Sequence, residues 1–276
     1  MKRKFIDQLG NSVAVPFPPK RIISLVPSQT ELLFDLGLNV EIIGITKFCI
    51  HPHEQVQTKT RIGGTKNLNL EKIRALQPDL IIGNKEENER GDIEILQKEF
   101  PVWMSDNFNL EDAMDMIQKI GELTDRGPEA AYLIHLINSG FGDLQQLALE
   151  KKLTQQTLYM IWRKPFMAVG RNTFIDDMLR KIGLQNVIVT SRYPALEVEE
   201  LATLKPDLVL LSSEPYPFKD KDVEEFQQIF PTARVLIVDG EMFSWYGSRL
   251  VKAVGYLFQL QQQLFIHPVA LGPKKD

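Results

Sequence analysis

Apolar residues fall in short blocks along this chain. The first is residues 21–26 (Arg-Ile-Ile-Ser-Leu-Val), and others follow at 41–45, 79–83, 101–103, 157–162, 186–189, 207–211 and 234–238. Each has the length of a buried strand. Most are separated by amphipathic stretches with helical spacing. After Pro27-Ser28 break the first strand, Thr30 to Leu36 reads as a short helix closed by Gly37. Buried strands alternating with helices predict an α/β architecture with mainly parallel sheets. The opening departs from that rhythm: Phe5 to Pro16, with Gly10-Asn11 inside, reads as a hairpin.

The pattern also repeats. Residues 70–82, Leu-Glu-Lys-Ile-Arg-Ala-Leu-Gln-Pro-Asp-Leu-Ile-Ile, return at 198–210 as Val-Glu-Glu-Leu-Ala-Thr-Leu-Lys-Pro-Asp-Leu-Val-Leu, with five identical positions. Each copy reads as a helix halted by Pro78 or Pro206 and followed by a strand, because proline cannot continue a helix. Thr30 to Gly37 has a looser counterpart in Thr173 to Gly183. The repeat predicts two similar α/β lobes, 1–126 and 154–276. Between them, 127–153 reads as one long helix. Pro128 suits its first turn, and Ala, Leu, Glu, Gln and Lys are abundant in 129–152. About 24 residues would span about 36 Å, a stiff strut that resists hinge closure. Gly140 and Gly142 oppose it, each by about 1 kcal/mol relative to alanine.

Composition adds exclusions. The 276 residues carry a net charge of −4, which argues against a phosphate-binding nucleic-acid surface. Hydrophobic residues make up 43%, enough for a core without disulfide staples. The single Cys49 excludes an internal disulfide. No apolar run approaches the roughly 18 residues of a membrane span. The start, Met1-Lys2-Arg3-Lys4-Phe5-Ile6-Asp7, is basic, but an acid and polar residues follow where a signal peptide needs an apolar stretch. With neither signal peptide nor lipobox, the chain as written is expected to be neither secreted nor lipid-anchored.

Candidate chemistry is sparse. Neither a dinucleotide glycine fingerprint, nor a phosphate loop, nor a nucleophile elbow is present, and Gly63-Gly64 reads as a turn. The protein is therefore not expected to be an enzyme. Cys49, His51 and His53 form the densest group of metal-ligand types, but three ligands within five residues seldom converge on one ion. His135 and His267 are far away in sequence. The segments Asn84 to Arg90 and Ser212 to Lys219 follow the matched strands of the repeat, so both are expected at ligand-facing sheet ends. Asn84, Glu86 and Glu87 in one, and Tyr216 in the other, are candidate ligand contacts. Trp162-Arg163 and Trp245-Tyr246 with Arg249 place aromatic and cationic side chains in turns after strands, suited to a large, flat, partly anionic ligand. Trp103 lies in an apolar strand and is expected in the core. Glu71 and Glu199 match across the repeat. Each suits a helix N-terminus, and as a pair they suit two basic residues of a partner.

Three stretches carry a resemblance. They are Phe5-Ile6-Asp7 with Pro19 to Glu31, Gly63-Gly64-Thr65 with Asn69 to Leu80, and Trp162 to Leu179 with Phe243 to Leu250. In this order they resemble the substrate-binding proteins of ABC importers for cobalamin and iron chelates, the helical-backbone receptor superfamily, closest to the cobalamin-binding branch. The resemblance implies a class III periplasmic-binding-protein fold: α/β, two Rossmann-like lobes with mainly parallel sheets joined by a long backbone helix. It implies a protein without a cofactor of its own that captures a corrinoid or another metal chelate in a cleft. Ligand contacts are then expected at Pro27, Ser28, Phe48, His51, Asn84, Glu86, Glu87, Trp162, Arg163, Tyr216, Trp245, Tyr246 and Arg249. Glu71 and Glu199 match the acids that pair with arginines of the membrane permease. A monomer in the periplasm, or otherwise outside the cytoplasm, is implied. Thr65 and Asn84 stand near places where some cobalamin binders carry Trp, which shifts the first wall to Phe48, His51 and the Asn84 loop. It leaves corrinoid, haem and iron chelate open. Two alternatives remain: a cytoplasmic carrier of corrinoid or metal chelate, and a chelatase-like enzyme using Cys49, His51 and His53.

Overall fold

The computed structural model describes residues 1–266 and divides the chain into two compact units. The first comprises Met1–Asn107, Glu111–Leu136 and Tyr246–Arg249. It opens with an antiparallel hairpin, β1 (Lys2–Ile6) and β2 (Ser12–Pro16). Then come β3 (Ile22–Ser24), α1 (Pro27–Asp35), β4 (Ile42–Ile45), α2 (His53–Gln57), β5 (Thr60–Arg61), β6 (Gly63–Gly64), β7 (Asn67–Leu68), α3 (Leu70–Leu76), β8 (Leu80–Asn84), α4 (Arg90–Gln97) and β9 (Val102–Ser105). Helix α5 (Leu110–Thr124) follows, and α6 (Gly127–Glu150) begins in this unit. The five-stranded sheet runs β5-β4-β3-β8-β9, and every pairing in it is parallel. Strands β3, β8 and β9 are buried along their whole length, which is why they read as unbroken apolar runs. Trp103 on β9 is fully buried.

The second unit comprises Phe108–Leu110, Ile137–Trp245 and the chain from Leu250. After α6 it holds β10 (Gln156–Trp162), β11 (Phe166–Ala168), α7 (Phe174–Lys181), β12 (Gln185–Asn186), β13 (Ala195–Leu196), α8 (Val198–Thr203), β14 (Leu208–Ser212), α9 (Asp220–Ile229), β15 (Arg234–Val238), α10 (Glu241–Ser244) and α11 (Arg249–Ile266). Its sheet runs β13-β11-β10-β14-β15, with β12 also on β10. Strands β10, β14 and β15 are parallel, while β11 and β13 add an antiparallel edge.

The repeat has a physical basis. In the first unit the Asp79 carboxylate accepts from the backbone N–H groups of Lys20 (2.8 Å) and Arg21 (2.9 Å), just ahead of β3. In the second, Asp207 accepts from the N–H of Gln156 (2.9 Å), the first residue of β10. Each Pro-Asp pair thus ends a helix and pins the start of the neighbouring strand. Helices α1 and α7 also end alike, on Gly37 (φ 82°) and Gly183 (φ 83°), a backbone state that costs glycine little.

Three expectations change. The helix expected from Thr30 starts at Pro27, whose fixed φ and missing N–H suit the first turn. The strand expected at 186–189 is only Gln185–Asn186. The Asn186 side chain accepts from Ile188 N–H (3.0 Å) and donates to Val169 O (3.0 Å) and Asp176 (2.9 Å), turning the chain out of the sheet. Helix α6 runs unbroken through Gly140 and Gly142. Within the second unit Gly140 lets α11 approach, because a Cβ there would lie 2.6 Å from a Val254 methyl.

Candidate ligand-binding site

In the first unit the candidate residues gather where β3, β4 and β8 end. Pro27 opens α1 half-buried, and Ser28 is buried beside it. Gly247 packs so closely on this turn that a Cβ would lie 2.8 Å from the Ser28 carbonyl oxygen. Tyr246 is buried next to it. Arg249 makes a buried, two-pronged ion pair with Glu31 of α1, at 2.7 and 2.8 Å. Both prongs of the guanidinium are therefore spent on Glu31, and Arg249 anchors the start of α11 rather than offering an open cation. Phe48 is the open aromatic here, 51% exposed, with the Lys47 ammonium 5.0 Å from its ring centre. Its ring leans on Gly64, where a Cβ would come within 3.2 Å. His51 is half-buried nearby in sequence.

The loop after β8 is closed on itself. Buried Asn84 donates to Ser105 Oγ (2.9 Å), and its Oδ1 accepts from the N–H groups of Glu86 (2.8 Å) and Glu87 (3.1 Å). Asn88 accepts from Asn84 N–H (2.9 Å) and donates to the carbonyls of Leu25 (3.3 Å) and Thr65 (3.2 Å). Asn84 is thus a turn-former with its polar atoms in use, and of the candidate contacts in this loop the half-buried Glu86 and Glu87 remain.

Cys49, His51 and His53 do not gather into a metal-holding group. Cys49 is fully buried, with its sulfur 3.1 Å from Thr30 Oγ1 and 3.2 Å from Thr46 Oγ1. Burial pushes its thiol above the ordinary value, away from the thiolate that binds metal. His53 is exposed on α2, beside Gln57. Among the described residues no group of three or more His, Cys, Asp or Glu is placed to hold a metal ion. His267 lies outside the described residues.

In the second unit Trp162 ends β10 and is 38% exposed. Its ring meets Tyr216 edge-on at 5.8 Å. The contact continues from Tyr216 to Phe218 at 4.8 Å, from Phe218 to Phe226 at 6.0 Å, and from Phe226 to Phe166 at 5.6 Å. Such edge-to-face pairs are favourable beyond the area they bury. Arg163 braces this ladder. It pairs with the fully buried Asp222 (2.9 Å) and with Glu225 (2.5 Å). Burial pulls its guanidinium down, but Tyr216, Glu225 and Asp222 outweigh that and hold it above its ordinary value. Trp245 is only 9% exposed, because its indole N–H donates to Glu214 (3.0 Å), which also accepts from Ser244 Oγ (2.8 Å). Burial raises the Glu214 carboxyl, and Glu241 and Asp239 add to it. The sequence pattern singled out neither Glu31, Asp222 nor Glu214. The one available signal was that Glu214 falls inside the matched loop.

Glu71 and Glu199 take the same place in their units. Each is the second residue of its helix, α3 or α8, and each is exposed. Among the described residues no helix is long and apolar enough to cross a membrane.

Two α/β units, each built on a mainly parallel sheet, give the class III periplasmic-binding-protein fold. The model of the periplasmic binding protein family matches residues 22–228, and the chain belongs to that family. It is 26% identical over 263 residues to an uncharacterised ABC transporter substrate-binding lipoprotein of Bacillus subtilis strain 168, covering 90% of this chain and 82% of that one. It is 26% identical over 204 residues to a vitamin B12-binding protein of Vibrio parahaemolyticus, covering 71% of each. The structure matches the apo form of a periplasmic haem-binding protein from Roseiflexus sp. RS-1 with a TM-score of 0.76. That match has 20% identity and covers 89% of this chain and 99% of that one.

Proposed function

We propose that this protein is the substrate-binding component of an ABC importer and captures a corrinoid or another metal chelate, haem or iron-siderophore included. It works outside the cytoplasm, as a single chain, without catalysis and without a cofactor of its own. The proposed contacts are Pro27, Phe48, His51, Glu86 and Glu87 on the first unit and Trp162 and Tyr216 on the second. Arg163, Trp245 and Arg249 serve as braces behind them, and Glu71 and Glu199 meet basic residues of the permease. The observation that carries this reading is the braced aromatic face of Trp162 and Tyr216. A stiff, partly exposed indole at a strand end gives a flat ligand large contact at little entropic cost. Titration with cyanocobalamin, haemin and a ferric siderophore, followed by tryptophan fluorescence, tests it. Saturable quenching by one of the three, weakened in Trp162→Ala, is expected. Absence of saturable binding across the panel overturns the ligand class.

A further inference from the structure

The second unit contains a hollow of about 870 Å³ that the reading above leaves unused. Gln156 at the start of β10 and Lys205 beyond the end of α8 line it, so it lies at the opposite end of β10 from Trp162. Its lining has two chemistries. Leu184 is buried and Leu204 and Val187 are half-buried, giving an apolar base. Arg171 and Lys205 are exposed and cationic. Among the described residues neither has an ion-pair or hydrogen-bond partner for its side chain. Arg180, also in the lining, is already matched by Asp177 at 2.9 Å and Asp176 at 3.7 Å. The hollow therefore carries uncompensated positive charge in a chain whose net charge is −4.

Arg171 is held in a rigid frame. Its N–H donates to the Thr190 carbonyl (2.9 Å), and its own carbonyl accepts from Arg192 N–H (2.8 Å). Gly170 lets the two segments meet, because a Cβ there would lie 2.0 Å from the Thr190 carbonyl oxygen. Asn172 takes a left-handed φ of 58° and donates to Ser191 Oγ (3.0 Å). The frame fixes where the Arg171 backbone stands at the edge of the hollow.

We propose that this hollow binds a small organic oxyanion, a phosphate or carboxylate carrying an apolar part, with Arg171 and Lys205 on the charge and Leu184, Val187 and Leu204 beneath the apolar part. Calorimetric titration of the full chain with phenyl phosphate, benzoate and inorganic phosphate tests this. At least one aromatic anion is expected to bind saturably and more tightly than inorganic phosphate. The double variant Arg171→Ala/Lys205→Ala should weaken that binding about tenfold or more, the value of losing charged hydrogen bonds. Lys98→Ala/Lys221→Ala, which removes the same charge elsewhere, should leave it unchanged. All four side chains are exposed, so circular dichroism should show both variants folded. The proposal is overturned by no saturable binding up to about 10 mM, by inorganic phosphate binding as tightly as the aromatic anions, or by equal losses in the two double variants.

Discussion

The loops after β8 and β14 occupy the same place in the repeat and are built from opposite materials. The first is tied at its buried base by neutral amides, Asn84 and Asn88, which satisfy one another and the backbone around them, while an ion pair to β9's end, Lys85 with Asp106 (2.6 Å), lies on the exposed side. In the first unit Glu31 and Arg249 form a deeply buried charge pair. The second is tied by charges. Arg163 bridges to Asp222 and Glu225 beneath Tyr216, and Glu214 holds Trp245. Amide ties cost less to desolvate than charges and do not titrate. Buried charges fix geometry firmly but leave a large penalty when one partner is lost. One duplicated framework therefore carries an amide-tied loop in one unit and a charge-braced aromatic face in the other.

The largest effect should come from the buried pair. Arg249→Met strands the Glu31 carboxylate and should cost about 3–5 kcal/mol in urea unfolding, with much of it recovered in Glu31→Met/Arg249→Met. A loss under about 1 kcal/mol would mean that the pair is not what anchors the start of α11. Next, Arg163→Gln should cost about 1–3 kcal/mol and free Tyr216 from its brace. Acrylamide quenching of Trp162 should rise, whereas Asn88→Ala in the other loop should leave Trp162 quenching alone. Equal changes would erase the contrast between amide and charge.

Glu214 gives a smaller effect with a defined sign. Its folded carboxyl is raised by burial above the ordinary 4.5, so the folded state keeps this proton to higher pH than the unfolded chain. Its contribution to stability is present below the unfolded value and is lost as pH rises through the folded one. Glu214→Gln should flatten that decline in unfolding curves taken as a pH series. A slope identical to wild type would remove Glu214 as its source. The smallest effect on stability, within about 0.5 kcal/mol, is expected for Glu71→Lys/Glu199→Lys, because both acids are exposed. Ligand affinity should persist while uptake through the permease stops. Lost affinity would instead place the two acids at the ligand.

Much of the framework was legible in the residue order. Proline after a helical stretch, aspartate next and an apolar run after that recur because each turn must stop a helix and start a strand. The structure adds what Asp79 and Asp207 do there, pinning a neighbouring strand by its backbone. The site was less legible. Trp245 and Arg249 have the composition of a binding wall, yet both are turned inward by acids 31 and 218 positions away. Nothing local marks Glu31 as such a partner, since an acid in a helix is ordinarily a solvated one.

By itself the sequence determined the alternation of strand and helix, the duplication, the core identity of Trp103 and a long helix, expected over 127–153 and formed over Gly127–Glu150, because these depend on periodicity and on proline and glycine geometry within a few residues. Only the tertiary structure decided which charges are buried and spent, that Tyr246–Arg249 pack with the first unit, and that Cys49 is sealed among hydroxyls. Those outcomes depend on desolvation. Whether a side chain meets water or a partner is set by segments distant in the chain, and no local pattern encodes that meeting.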